Sequence, residues 1–478
     1  MTRARNVADI IKQPFTTTLG TSNYRAGVNA GNSIASGGNF NVAVGDEAGT
    51  ALTTGDANVA IGFKALHTED AHGFNVAIGS GALQRQDAGA DAHNVAIGST
   101  AGTQLTTSIK NTLIGSKAGE GITSGDGLNV AVGYGALGVA SNTTQENVAI
   151  GNDALSTEDG HGRNVAVGFE ALKTLNAGAL GLNTAVGQQA GKAMTTGIRN
   201  TLVGALSGDS ITDSDFNVAL GYASLSTNVL GSRNTAIGFG TLETLNPVDG
   251  NGANVAADTY NVAVGHAAGT AITTGIVNTY LGGEAGAANT VGNNNVALGF
   301  KALFTDSHGS QSVAVGVGAL QVQDNGTTAT SFNNTAVGYN AGLIVTTGVG
   351  NVLLGANAGS NVTTGGGNII IGDSDGEAAG ANHQIIMGNS VSGVGQDDFT
   401  FGRGGLDCNI AFGSEEITAP SDQRYKEDIA DATAGLAFIK DLRPVTFKWR
   451  KEKDVPSDHP SYVEGSDTRV MNDYTNHG

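Results

Sequence analysis

The chain has 478 residues with 74 glycines and six prolines, and its 24 basic against 43 acidic side chains give a formal net charge of −19. Glycine at about twice its usual share, without a three-residue period and with little proline, excludes both an ordinary globular enzyme and a collagen triple helix, while 39% apolar residues exclude a disordered chain. The acidity argues against nucleic acid or an anionic membrane as partner, the single Cys408 rules out an intrachain disulfide, and no secretory leader or apolar run of ~18 residues is found, so no membrane insertion is expected.

Residues 1–40 precede the regular part of the sequence. Met1–Ile11 predicts a short amphipathic helix, followed by an extended, polar, glycine-containing stretch.

From residue 41 a repeat governs the chain. Asn41-Val42-Ala43-Val44-Gly45 aligns with Asn58-Val59-Ala60-Ile61-Gly62 and Asn75-Val76-Ala77-Ile78-Gly79, and 19 such units can be followed to residue 368. Of the 18 intervals, 12 are 17 residues long, and two insertions precede Asn261 and Asn334. Asn opens 18 units, Ser312 opens the other, and the fifth position is Gly in all 19. A fixed period with a short strand in each unit predicts a solenoid, because one coil cannot bury its own apolar face but a stack can. Period-two alternation separates Val42 and Val44 from Ala43. The valines are expected to line the coil interior and the alanines to form a narrow outer face. The asparagines are expected to form a ladder of amides, and the glycines to turn the corners. An Ala-Gly or Ala-Leu pair and a turn such as Thr53-Thr54-Gly55 complete each unit. At ~4.8 Å per strand, 19 coils make a rod on the order of 90 Å. Periodicity alone does not separate a monomeric parallel β-helix from a trimer packed through small residues.

Three turns differ from the Thr-Thr-Gly type: Thr68–Gly73, Thr157–Gly162 and Thr305–Gly309, each with an acid and a histidine. Histidine near carboxylates raises a metal hypothesis, but Asp, Gly and His are ordinary in exposed turns and the helical spacing of strong histidine sites is missing. No metal and no cofactor are therefore expected. Nor does any carboxylate pair stand out as a glycan-cleaving site.

Residues 391–420 form a neck, and the composition then changes abruptly. Residues 421–478 hold the only tryptophan, three glycines and nine of the 24 basic residues. Within them stand Ser421-Asp422-Gln423-Arg424-Tyr425-Lys426-Glu427-Asp428-Ile429, Leu442-Arg443-Pro444-Val445 and Phe447-Lys448-Trp449.

These residues carry two resemblances. The Asn-Val-Ala-Val/Ile-Gly units, over 41 to about 388, resemble the head repeats of trimeric autotransporter adhesins and the related repeats of phage tail fibres. That implies an all-β fold, a β-roll in a parallel homotrimer. The segment from Ser421 resembles the start of the intramolecular chaperone domain of endosialidase-type tailspikes and tail fibres, a small α+β domain that trimerises the preceding fibre and then cuts itself off. Carried over, the scissile bond is Pro420-Ser421, Ser421 is the nucleophile and Lys426 the base. A lysine of lowered pKa can take the proton of a serine hydroxyl, so any catalysis is a single turnover in cis. Without the resemblance, Ser421 or Asp422 reads as a helix N-cap.

Four regions are thus expected: an N-terminal attachment segment (1–40), a β-roll (41–390), a neck (391–420) and the start of an auto-processing chaperone (421–478). The resemblance implies a homotrimeric phage tail fibre on the virion, held by a virion attachment protein through its N-terminus and contacting a host cell-surface glycan or protein. The alternatives are a bacterial trimeric adhesin-like surface protein and a polysaccharide depolymerase.

Overall fold

The computed structural model describes residues 20–413, apart from 126, 140–144, 159–161, 179, 250 and 327, together with 446–447, 450–457, 462–469 and 476–477. The chain divides into two units, residues 1–419 and 420–478.

The first unit is a parallel β-solenoid. Its main sheet has 23 strands, most of three residues, and all neighbours pair in parallel except the last two. Val42–Val44 pairs with Val59–Ile61 in exact repeat register, Ala43 opposite Ala60, and the same alignment continues coil after coil. The stack starts before the first clear unit: Tyr24–Ala26 pairs with Val42–Val44, and Asn23 Oδ1 accepts the Asn41 N–H at 2.8 Å. Residues 20–40, placed ahead of the repeat by the sequence, thus include a first coil. At the other end Ile385–Asn389 continues the ladder, Asp398–Arg403 adds to it in parallel, and Leu406–Ala411 returns antiparallel as a closing hairpin. The two insertions form small parallel pairs of their own, Gly231–Ser232 with Ala257–Asp258 and Gly309–Ser310 with Thr330–Ser331.

The interior is the reverse of the expected one. Ala43, Ala60, Ala77 and their equivalents are fully buried, whereas the flanking Val and Ile side chains are half-buried or exposed. Strand parity explains the inversion. The opening Asn is fully buried in nearly every coil, and in a strand the first and third residues share a face; an inward Asn therefore forces the Ala inward and the valines out.

The asparagine ladder is also more specific than amide stacking. Asn41 Oδ1 accepts the main-chain N–H of Asn58 at 2.9 Å, Asn58 Oδ1 accepts that of Asn75, and so on up the stack. In many coils the Nδ2 donates to the carbonyl fourteen residues later, as from Asn41 to Gly55 O at 2.8 Å and from Asn278 to Gly292 O at 2.8 Å. Bonds between two amides occur in some coils only, for example Asn234 to Asn217 at 3.1 Å. The Asn side chain thus pairs buried main-chain groups that a tight corner would otherwise orphan. The fifth-position glycine is required by the same crowding. Gly62 has φ of 130°, and a Cβ there would lie 2.6 Å from the carbonyl carbon of Gly79 in the next coil.

Core volume is conserved across coils by exchange between positions. Leu113, Leu202, Tyr280 and Leu353 replace the usual third-position Ala. In each of these four cases the second half-unit on both sides ends in Gly, as Ala-Gly or, at Ser207-Gly208, as Ser-Gly. A Cβ on Gly102 or on Gly119 would lie 2.8 Å from a Leu113 methyl, and one on Gly269 2.8 Å from the Tyr280 ring. Where the strand keeps Ala, that half-unit can carry Leu, as at Leu66, Leu83 and Leu172, all fully buried. Each buried leucine contributes about 1.5–3 kcal/mol, available only through the coils above and below. The turns add further links: Thr53 Oγ1 donates to Asp70 O at 2.9 Å and Thr106 Oγ1 to Thr123 O at 2.8 Å.

In the second unit the described residues comprise a two-residue antiparallel pair, Thr446–Phe447 with Asn476–His477, and one 3-10 turn, Glu452–Asp454. Lys451 and Lys453 both reach Asp467.

Candidate functional site

Three sets of residues bear on function: the acidic turns, the outward sheet face, and the segment after residue 420.

Counted from the opening Asn, the twelfth residue of a coil points inward. Leu52, Leu105, Ile122 and Met194 occupy it in Ala-Gly coils and are fully buried. In several coils whose second half-unit ends in Leu the same place takes polar side chains, Glu69, Gln86, Glu158, Asn228, Asp306 and Gln323, also fully buried, whereas Leu175 keeps it apolar in the Ala171-Leu172 coil. One acid of each histidine-bearing turn, Glu69, Glu158 and Asp306, is therefore an interior group, while Asp70 beside Glu69 is exposed. Their position in the repeat, which in most other coils carries Leu, Ile, Val or Met or an uncharged Asn or Gln, is the signal that identifies them. Asp306 is well satisfied: it accepts from the Gly309 N–H at 2.7 Å and from Gln323 Nε2 at 2.8 Å, and burial still pushes its carboxyl up to about 6. Glu69 is less well served. Its Oε1 accepts from the His72 N–H at 3.2 Å, its Oε2 has no hydrogen-bond partner, and burial pushes the carboxyl up to about 7. His308 Nδ1 lies 2.8 Å from Ser307 Oγ.

The outward face of the sheet is largely apolar, with threonine in place of valine at Thr112, Thr184, Thr201, Thr235, Thr279 and Thr335. Ile114, Ile150, Leu220, Leu281, Leu298 and Met387, all from second or fourth strand positions, are exposed in the single chain. Flanking columns are aromatic or cationic. Tyr222 stacks on Phe239 at 5.4 Å and Phe239 on His266 at 5.3 Å. In the column just before the opening Asn, the Arg199 and Arg233 guanidiniums lie 5.3 and 4.8 Å from the Phe216 ring, and Arg233 is 5.8 Å from that of Tyr260. In-register stacking turns single exposed residues into continuous stripes, and an apolar stripe of this extent marks an interaction surface.

Pro420, Ser421 and Lys426 lie outside the described residues, as does Met1–Ile11. Among the described residues no helix is long and apolar enough to cross a membrane. Residues 421–462 match the family described as the chaperone of endosialidase. No curated protein and no solved structure matches the chain.

Proposed function

We propose, from the match of residues 421–462 to the chaperone of endosialidase, that this chain is a structural fibre protein of a bacteriophage, assembled as a parallel homotrimer and trimmed at its own C-terminal segment. The observation that carries the reading is this match directly after a solenoid whose sheet presents an unpartnered apolar face. An isolated rod exposing Leu220, Leu281 and Leu298 pays for that surface in water; two further copies laid alongside in register would cover it. The turns and the two insertions are the parts suited to contact with a host-surface glycan or protein. The N-terminal segment is the part suited to a virion attachment protein.

For the trimming step, Lys426 takes the hydroxyl proton of Ser421, and Oγ adds to the carbonyl carbon of Pro420. The Pro420–Ser421 C–N bond breaks as the amine gains a proton, leaving an ester that water hydrolyses. The reaction runs once per chain and releases the chaperone from the fibre. Intact and native mass of the chain and of Ser421→Ala and Lys426→Ala test both halves. Loss of everything after Pro420 in the parent alone, with a trimeric native mass, is the expected result; an uncut monomer in all three would overturn it.

A further inference from the structure

The Thr68–Gly73 turn differs from its counterpart at Thr305–Gly309 in what surrounds the buried acid. Glu69, Asp70 and His72 in one coil and Asp87 in the next each bring one carboxylate oxygen or ring nitrogen to a common point, all four within 4.8 Å of one another. Asp70 and Asp87 occupy the same place in successive coils, one repeat apart, so the in-register stack itself brings their carboxylates together. Glu69 is fully buried beneath them. Its Oε2 has no hydrogen-bond partner, and His72 Nδ1, also enclosed, makes no hydrogen bond although it lies 3.4 Å from Glu69 Oε1. A buried carboxylate oxygen and a buried imidazole nitrogen, each unpaired and both facing two further carboxylates, are costly as they stand.

We propose that Glu69, Asp70, His72 and Asp87 form a binding site for one divalent cation of the zinc or manganese type. Ligand atoms at about 2.0–2.2 Å around a tetrahedral ion sit roughly 3.3–3.6 Å from one another, so a cluster within 4.8 Å closes by side-chain movements on the order of 1 Å. Three carboxylates supply charge, and the imidazole favours Zn2+ or Mn2+ over Mg2+. The ion would tie two consecutive coils together through their side chains, adding to the main-chain, amide and threonine links of the stack. The Thr305–Gly309 turn provides an internal contrast. There Asp306 is bonded to Gln323 and Gly309, His308 Nδ1 is at 2.8 Å from Ser307 Oγ, and no such gap is left for an ion.

The test uses the full chain after treatment with chelator, titrated calorimetrically with zinc chloride and with manganese chloride, with the bound metal counted by elemental analysis. One ion per chain is expected, with affinity falling at least tenfold in His72→Ala and in Asp87→Asn and unchanged in His308→Ala. Asp87 is exposed, so that variant keeps the fold, and circular dichroism checks it. No binding of either ion, or binding of equal strength in both His72→Ala and Asp87→Asn, would overturn the assignment. So would an equal loss in His308→Ala.

Discussion

The side-chain oxygen of Gln323 accepts a hydrogen bond from Asn334 Nδ2 at 2.8 Å, in the one unit that opens with Ser312 instead of Asn. In coils such as Asn278 that donor reaches the preceding Asn oxygen; a twelfth-position Gln is a second acceptor, and Gln86 takes the same bond from Asn94 Nδ2 at 2.9 Å in a coil that opens with Asn75. Gln323 Nε2 also donates to Ser312 Oγ at 3.0 Å and to Asp306 Oδ2 at 2.8 Å. Gln323→Ala therefore leaves a buried carboxylate and a buried amide short of partners, at a cost of about 2–4 kcal/mol. Because solenoids open locally, the check is hydrogen exchange: faster exchange is expected over residues 306–340, with the coils near residue 100 unchanged.

The glycine corner admits no side chain. With φ of 130° and the next coil 2.6 Å from a would-be Cβ, Gly62→Ala strains the backbone and pushes two coils apart. A loss above about 2 kcal/mol is expected from the conformational and steric terms together, read as a lowered urea midpoint. Gly89→Ala, where nothing lies within 4 Å of the new methyl, carries only the conformational part and should be milder.

Exchange of volume between coils predicts non-additive mutants. Leu113→Ala leaves a cavity worth roughly 2–4 kcal/mol, and Gly119→Leu alone drives a side chain into Leu113. Combined, the two changes rebuild the Ala-Leu form found naturally at Ala60 and Leu66. The double variant should therefore be more stable than Gly119→Leu, with a coupling of at least about 1 kcal/mol in a double-mutant cycle.

Acid should strengthen the coil around Asp306. Its carboxyl is raised from 3.8 to about 6 in the fold, so between those values the folded state holds a proton that the unfolded chain has released. The contribution of Asp306 to stability is then greatest below about pH 4, declines as pH rises to about 6, and is constant above. The span is on the order of 3 kcal/mol at most. Urea midpoints at pH 4.5 and 7 for the parent and Asp306→Ala check it; the difference between the two pH values should shrink in the variant.

The solenoid was legible because Asn and Gly recur at fixed places, and those residues carry its main-chain pairing and its corners. Which way the strand faces was misread, since valine is the larger apolar residue and was assigned inward on that ground alone. The buried Asn41 and Ala43 share parity, and following the asparagine would have reversed the assignment. The same inward register would have placed Glu69 and Asp306 in the core; their local sequence, Thr-acid-x-x-Gly or similar, imitates an exposed turn. The coil at Asn23–Gly27 was hidden because Tyr24-Arg25-Ala26 has none of the repeat's apolar residues, although Asn23 and Gly27 stand 18 residues before Asn41 and Gly45. The Ser421 and Lys426 chemistry rests on a motif, not on any periodic feature.

The closing hairpin has a consequence for how long such a shaft can be. Every ladder up to Asp398–Arg403 runs one way, and Leu406–Ala411 then reverses, so the edge offered at that end is antiparallel in sense to the one offered by Tyr24–Ala26. Two rods set end to end cannot splice their ladders into one uninterrupted parallel sheet. Among the described residues the length of the ladder is accordingly a digital quantity, set by the number of units encoded and changed one strand spacing at a time by gain or loss of a 17-residue unit.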